Sequence, residues 1–164
     1  MVTSIKGNAT STFGGNIDVP QIVTDAPAFS VYKTSDQNIS SNVYTKVTFD
    51  GERFDTNSNF ASSTFTPTVA GYYQVNATIR CRGTSVTSTH GGFFKNGVEI
   101  NRLSGSQGIA QSSYEGISGG AVIYCNGTTD YIDVYAQIIA TSPFVGGDGN
   151  GVVTVFSGSL VRAV

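Results

Sequence analysis

Charge is scarce in this chain: Lys, Arg, Asp and Glu make up 12% of its 164 residues, about half the usual ~25%. Nine basic and eleven acidic residues give a net charge of −2, and the basic residues form no cluster. That argues against a nucleic-acid partner, because phosphate contacts need grouped Lys and Arg. Cysteine is nearly absent: Cys81 and Cys125, with the single His90, cannot make a zinc site alone. One disulfide has its two thiols available but is not implied by them. No apolar run approaches the ~18 residues of a membrane span, so no membrane partner is expected. The opening MVTSIKGNATSTFGG has no basic head followed by an apolar stretch, so it does not read as a secretory signal. Sustained helical periodicity with caps is missing throughout.

Ser, Thr, Asn and Gly fill the polar surface instead, and they favour turns and strands over long exposed helices. Asn-x-Ser/Thr triplets start at Asn8, Asn38, Asn76 and Asn126, a number that chance explains in a chain so rich in Ser and Thr. Short alternating runs separated by Gly, Asn, Asp and Pro predict an all-β sandwich or barrel. The first strand spans Ala28 to Tyr32. Val43 to Phe49 alternates, with Val43, Thr45, Val47 and Phe49 on one face. A polar, turn-rich stretch follows, then a strand over Ser63 to Thr66. Gly71 to Arg82 is the longest alternating run, with Tyr73, Val75, Ala77, Ile79 and Cys81 as a core stripe. Gly92 to Lys95 and Val98 to Leu103 flank Asn96-Gly97, which suits a type I′ hairpin turn because both residues tolerate positive φ. Ser118 to Cys125 puts Ala121, Ile123 and Cys125 on one face. Asn126-Gly127 turns the chain into Tyr131 to Ile139, a glycine-rich loop follows, and Val152 to Val161 closes the chain. The count is about ten antiparallel strands, which fits a two-sheet jelly roll.

Residues 1–26 hold few large apolar side chains and end before Pro27. Alone they cannot bury enough surface to fold. They read either as a tail or as an arm that adds a strand to another subunit or anchors the domain, with Phe13, Ile17, Val19 and Ile22 as its contacts. Residues 27–164 form the globular domain.

Chemistry finds little purchase. His90 falls in Ser88-Thr89-His90-Gly91-Gly92, read as a loop, with no triad geometry in view. Asp50, Glu52 and Asp55 crowd one loop, where turn-forming and solvated roles suffice. Calcium is the alternative there, although the spacing is not that of an EF-hand and full ligation needs six to eight oxygens. No other cofactor is expected. The GGDGNG segment near Gly146 lacks the Gly-Lys-Ser/Thr ending of a phosphate loop. Phe144 at its start reads as a core plug or an exposed contact, the plug being preferred.

The order of several motifs resembles a C1q domain of the C1q/TNF superfamily. Phe49-Asp50, Phe54, Asn57 and Phe60 precede Phe65-Thr66-Pro67 and Ala70-Gly71-Tyr72-Tyr73, similar to the family's spaced aromatics ending in Gly-x-Tyr. Lys95-Asn96-Gly97, the Ser118-Gly119-Gly120-Ala121-Val122-Ile123 strand and Phe156-Ser157-Gly158-Ser159-Leu160 follow in the family's order. The family's Gly-Asp turn is here Gly127-Thr128-Thr129-Asp130, longer by two residues. Ser159 replaces an aromatic usual in the last strand, and no collagen-like stem precedes the domain.

The resemblance implies two five-stranded sheets and a tight threefold homotrimer. The run from Gly71 and the closing strand would lie on the inner sheet, with Tyr72, Gln74, Asn76, Thr78, Ser157 and Ser159 facing neighbouring subunits. Gly158 would permit close backbone approach. The implied sheet order also puts Cys81 and Cys125 at opposite ends, as two buried free thiols. The segment GNATSTFGGNIDV resembles phrases frequent in phage fibre and virion proteins. Together these imply a virion structural protein, located in the virion: a capsid decoration, cement or fibre-tip protein with capsid or fibre partners. The alternative is a C1q-like module that binds a glycan or protein through apical loops, Gly83 to Gly91, Gly105 to Gly116 and Thr141 to Gly151. An enzyme is not expected.

Overall fold

The computed structural model describes residues 26–111 and 114–164. The arm reading, with Phe13, Ile17, Val19 and Ile22, lies outside the described residues. Every regular element among those described is a strand. In chain order they are β1 Ala28–Tyr32, β2 Gln37–Asn38, β3 Thr45–Lys46, β4 Gly51–Asp55, β5 Phe60–Ala61, β6 Thr64–Phe65, β7 Gly71–Lys95, β8 Val98–Leu103, β9 Gln107–Gln111, β10 Tyr114–Cys125, β11 Ile132–Val145 and β12 Val155–Ala163.

The 25-residue β7 belongs to two layers. Its first half pairs with β10 on one side and β12 on the other. β12 pairs with β1, and β1 with β4, so the first layer runs β4-β1-β12-β7-β10, all antiparallel. The second half of β7 pairs with β11 and, on its other edge, with β8 and β9. The short β2, β3 and β6 line the far edge of β11. The bend between the halves falls near Gly83, where an added Cβ would meet Ala140 Cβ at 2.7 Å. Ser85 there takes φ +54, and the β11 register shifts.

Alternation builds the core as expected. Tyr73, Val75, Ala77, Ile79 and Cys81 are 0–3% exposed. Opposite them across the sandwich lie Ile132, Val134, Ala136 and Ile138 of β11. Rings join the layers: Phe93 sits 6.0 Å from Phe156, and Phe65 sits 4.3 Å from Phe29. The Asn96-Gly97 turn has φ of +52 and +81, as a type I′ hairpin needs.

Several expectations are corrected. Residues 83–91 are not a loop but strand. Gly91 and Gly92 sit where the backbone must approach a neighbour: a Cβ on Gly91 would meet Ile117 Cδ1 at 2.8 Å. The polar stretch after Asp50 holds β4, an edge strand whose solvated sides tolerate Glu and Arg. Only Thr45 and Lys46 pair within Val43 to Phe49; Val43 is 49% exposed, just after Asn42 at φ +64. Phe144 plugs no core. It is half-buried, paired opposite Arg82 within β11, with the Arg82 guanidinium 5.5 Å from its ring centroid. Gly158 faces the core, not the outside, and leaves room for the Phe29 ring.

Candidate self-association face

The outer side of the β4-β1-β12-β7-β10 layer carries the predicted residues. Register sets them in rows. Tyr124, Tyr72 and Arg162 form one row. Val122, Gln74 and Ser159 form the next, then Gly120, Asn76 and Ser157, then Ser118, Thr78 and Val155. Ser30 and Phe54 extend the Asn76 row onto β1 and β4. Tyr72, Asn76, Thr78 and Ser159 are exposed, and Gln74 and Ser157 half-buried. All six therefore share one face, in adjacent rows of two neighbouring strands.

These rows carry four exposed large apolar side chains among polar ones, and one charged residue, Arg162. Tyr72 is 43% exposed, Tyr124 42%, Val122 58% and Phe54 48%. The Tyr72 and Tyr124 rings pack at 5.5 Å. Gln74 Nε2 donates to the Val75 carbonyl at 3.1 Å and to Asn76 Oδ1 at 3.3 Å. Both amides lie over Gly120, where an added Cβ would run into Asn76 Oδ1. Tyr124, Val122 and Phe54 were missed from sequence. The signal for two of them was present: Ala121, Ile123 and Cys125 inward leave Val122 and Tyr124 outward.

A polar clasp borders the Tyr124 end. Lys95 Nζ lies 5.5 Å from the Tyr124 ring centroid and 2.7 Å from Asp130. Asn96 Nδ2 donates to Asp130 Oδ1 at 2.7 Å, and the Asn126 N–H donates to Oδ2 at 2.9 Å. Bonds from Lys95 and Asn96 hold the Asp130 carboxyl below its usual range, against the opposing effect of burial. Asn126 Oδ1 accepts the N–H groups of Thr128, Thr129 and Asp130; this side-chain turn absorbs the two extra residues.

The other singled-out residues are structural. Asp50 accepts the Thr34 N–H and the Ser35 hydroxyl. Asp55 accepts the Phe60 N–H at 2.7 Å. Among the described residues no group of three or more His, Cys, Asp and Glu could hold a metal ion. His90 Nε2 lies 2.9 Å from Ser88 Oγ, two positions along the same strand. Cys81 sits opposite Glu115 and Cys125 opposite Gly71, which at ~3.3 Å per residue separates them by roughly 30 Å. Burial pushes the Cys81 thiol up to about 12 and that of Cys125 to about 11, so both act as small apolar side chains.

The ends of the layer differ. Ala28, Gly71, Cys125 and Ala163 share one end, because Ala28 lies opposite Ser159 and both Cys125 and Ala163 lie opposite Gly71. The β7 bend and the segments after Leu103 and after Val145 gather at the other end, near Arg82.

No family model matches the chain, and neither does any curated protein. Solved structures do. The globular domain of zebrafish complement 1qA protein superposes with a TM-score of 0.61 at 19% identity, covering 85% of this chain and 99% of that one. Murine APRIL gives 0.62 at 10% identity, over 83% and 99% of the two chains. The Eiger TNF of S. frugiperda gives 0.56 at 10% identity, over 85% and 93%. The fold is a C1q/TNF-like jelly roll.

Proposed function

We propose that this chain is a non-enzymatic, self-associating head: three copies close around an axis with the outer face of the first layer turned inward. The observation that carries the reading is that face itself. It joins exposed Tyr72, Tyr124, Val122 and Phe54 to a lawn of Ser, Thr and amide groups. Large apolar side chains exposed together on one face mark interaction sites, and interface cores are depleted of charge. A cyclic ring uses two different patches per copy and closes without leaving a free one. Asn76→Arg places three cations against this surface in a trimer. The variant is expected to sediment as a folded monomer; an unchanged trimer would remove the face from the interface.

The finer reading is a virion component, a decoration, cement or fibre-tip protein held by residues 1–26. It rests on the phage-like phrasing of GNATSTFGGNIDV and on the position of Ala28 at one end of the layer, opposite the loops. The head would then add multivalent contacts while the arm engages the particle. A chain lacking residues 1–26 is expected to trimerise but no longer bind particles. Full binding by the truncated head would end the anchoring role. A second reading, recognition of a glycan or protein by the far-end segments, is favoured by their gathering at one end of a rigid scaffold. A saturable hit on a glycan array would select it.

A further inference from the structure

The chain has three Asn-Gly pairs, at Asn96, Asn126 and Asn150. A following glycine, lacking a Cβ, leaves its backbone nitrogen open to attack the asparagine side chain. The fold treats the three pairs differently. Asn96 is pinned at both ends of its amide: Oδ1 accepts the Tyr131 N–H at 3.0 Å and Nδ2 donates to Asp130 at 2.7 Å. Asn126 is pinned harder, with Oδ1 accepting three N–H groups and Nδ2 donating to Thr129 Oγ1 at 2.8 Å. Asn150 is exposed in the β11–β12 connection. Among the described residues its side chain makes no hydrogen bond. The attacking nitrogen, that of the buried Gly151, is held by one bond, its N–H donating to Asp148 Oδ1 at 2.7 Å, which must open before attack.

We propose that Asn150 is a site of spontaneous deamidation, and that the fold protects Asn96 and Asn126. The Gly151 nitrogen gives its proton to hydroxide and attacks Asn150 Cγ. The new N–Cγ bond closes a succinimide, the Cγ–Nδ2 bond breaks, and ammonia leaves with a proton from water. A second water opens the ring at either carbonyl, giving aspartate or isoaspartate. Each product adds a negative charge at the far end of the molecule. It sits beside Asp148 and next to Gly151, whose carbonyl accepts a hydrogen bond from Arg53 Nη2. The proposal is independent of the self-association reading.

Incubating the folded, full-length protein at mildly alkaline pH, followed by peptide mapping for amide-to-acid mass gain, tests this. Conversion of Asn150 is expected to outpace both other sites by about tenfold, since freeing either pinned amide costs at least two hydrogen bonds against the one released at Gly151. Conversion at Asn96 or Asn126 as fast as at Asn150 overturns the proposal. In guanidinium the three rates are expected to converge. A preference for Asn150 that survives unfolding unchanged would place the selectivity in local sequence and overturn the protective role of the fold.

Discussion

At the scale of single residues, the face is shaped as much by what is small as by what is large. Gly120 is the floor on which the Gln74 and Asn76 amides lie. Gly120→Val lifts those amides off the sheet while leaving every core contact in place. The expected outcome is weakened self-association with unchanged β-type circular dichroism; unaltered association would show that the amide pair does not reach a neighbour. The opposite side of the same strands behaves differently. Phe156 is fully buried and meets the rings of Phe29, Phe49, Phe60 and Phe93. Phe156→Ala is expected to cost about 3–5 kcal/mol, the range for a large core aromatic. Urea unfolding at a fixed protein concentration reads it, since association adds to apparent stability.

At the scale of elements, the β10–β11 turn and the β7–β8 hairpin are locked together through Asp130. Its carboxyl titrates below its ordinary 3.8 because Lys95 and Asn96 bind the charged form. A depressed folded pKa gives stability that is complete above the unfolded value and is lost as pH falls through the folded one. Acid unfolding of the wild type below about pH 4 should therefore carry a component that Asp130→Asn removes. Identical acid profiles would deny the clasp any weight. The first half of β7 and the strand entering this turn are legible in the sequence because Gly71 to Arg82 and Ser118 to Cys125 alternate strictly, and period-2 patterns survive burial of one face. The second half of β7 was not. Its Gly83, Gly91 and Gly92 carry the composition of a turn, and only the neighbours they approach, Ala140, Ile117 and Glu99, explain them. β4 was hidden for the opposite reason: an edge strand wetted on both sides has no apolar alternation to display. The six face residues could be placed by counting odd and even positions. Phe54 could not, since β4 shows no apolar alternation.

At the scale of the whole molecule, the two sides of the first layer are equally regular but unequally satisfied. One side closes the core with Tyr73, Val75, Ile79 and Phe156, all fully buried. The other holds Tyr72, Tyr124, Val122 and Phe54 in water in the single chain, with Arg162 as the one charged side chain in their rows. The geometry of the layer gives such a ring a polarity, with the described chain termini at one end and the connecting segments at the other. Sedimentation equilibrium of the intact wild-type chain at low micromolar concentration measures the outcome directly. Mass three times that of the 17.2 kDa chain, persisting on dilution, is the result expected. A species that sediments at 17.2 kDa, with Tyr72 and Tyr124 open to solvent, would contradict it.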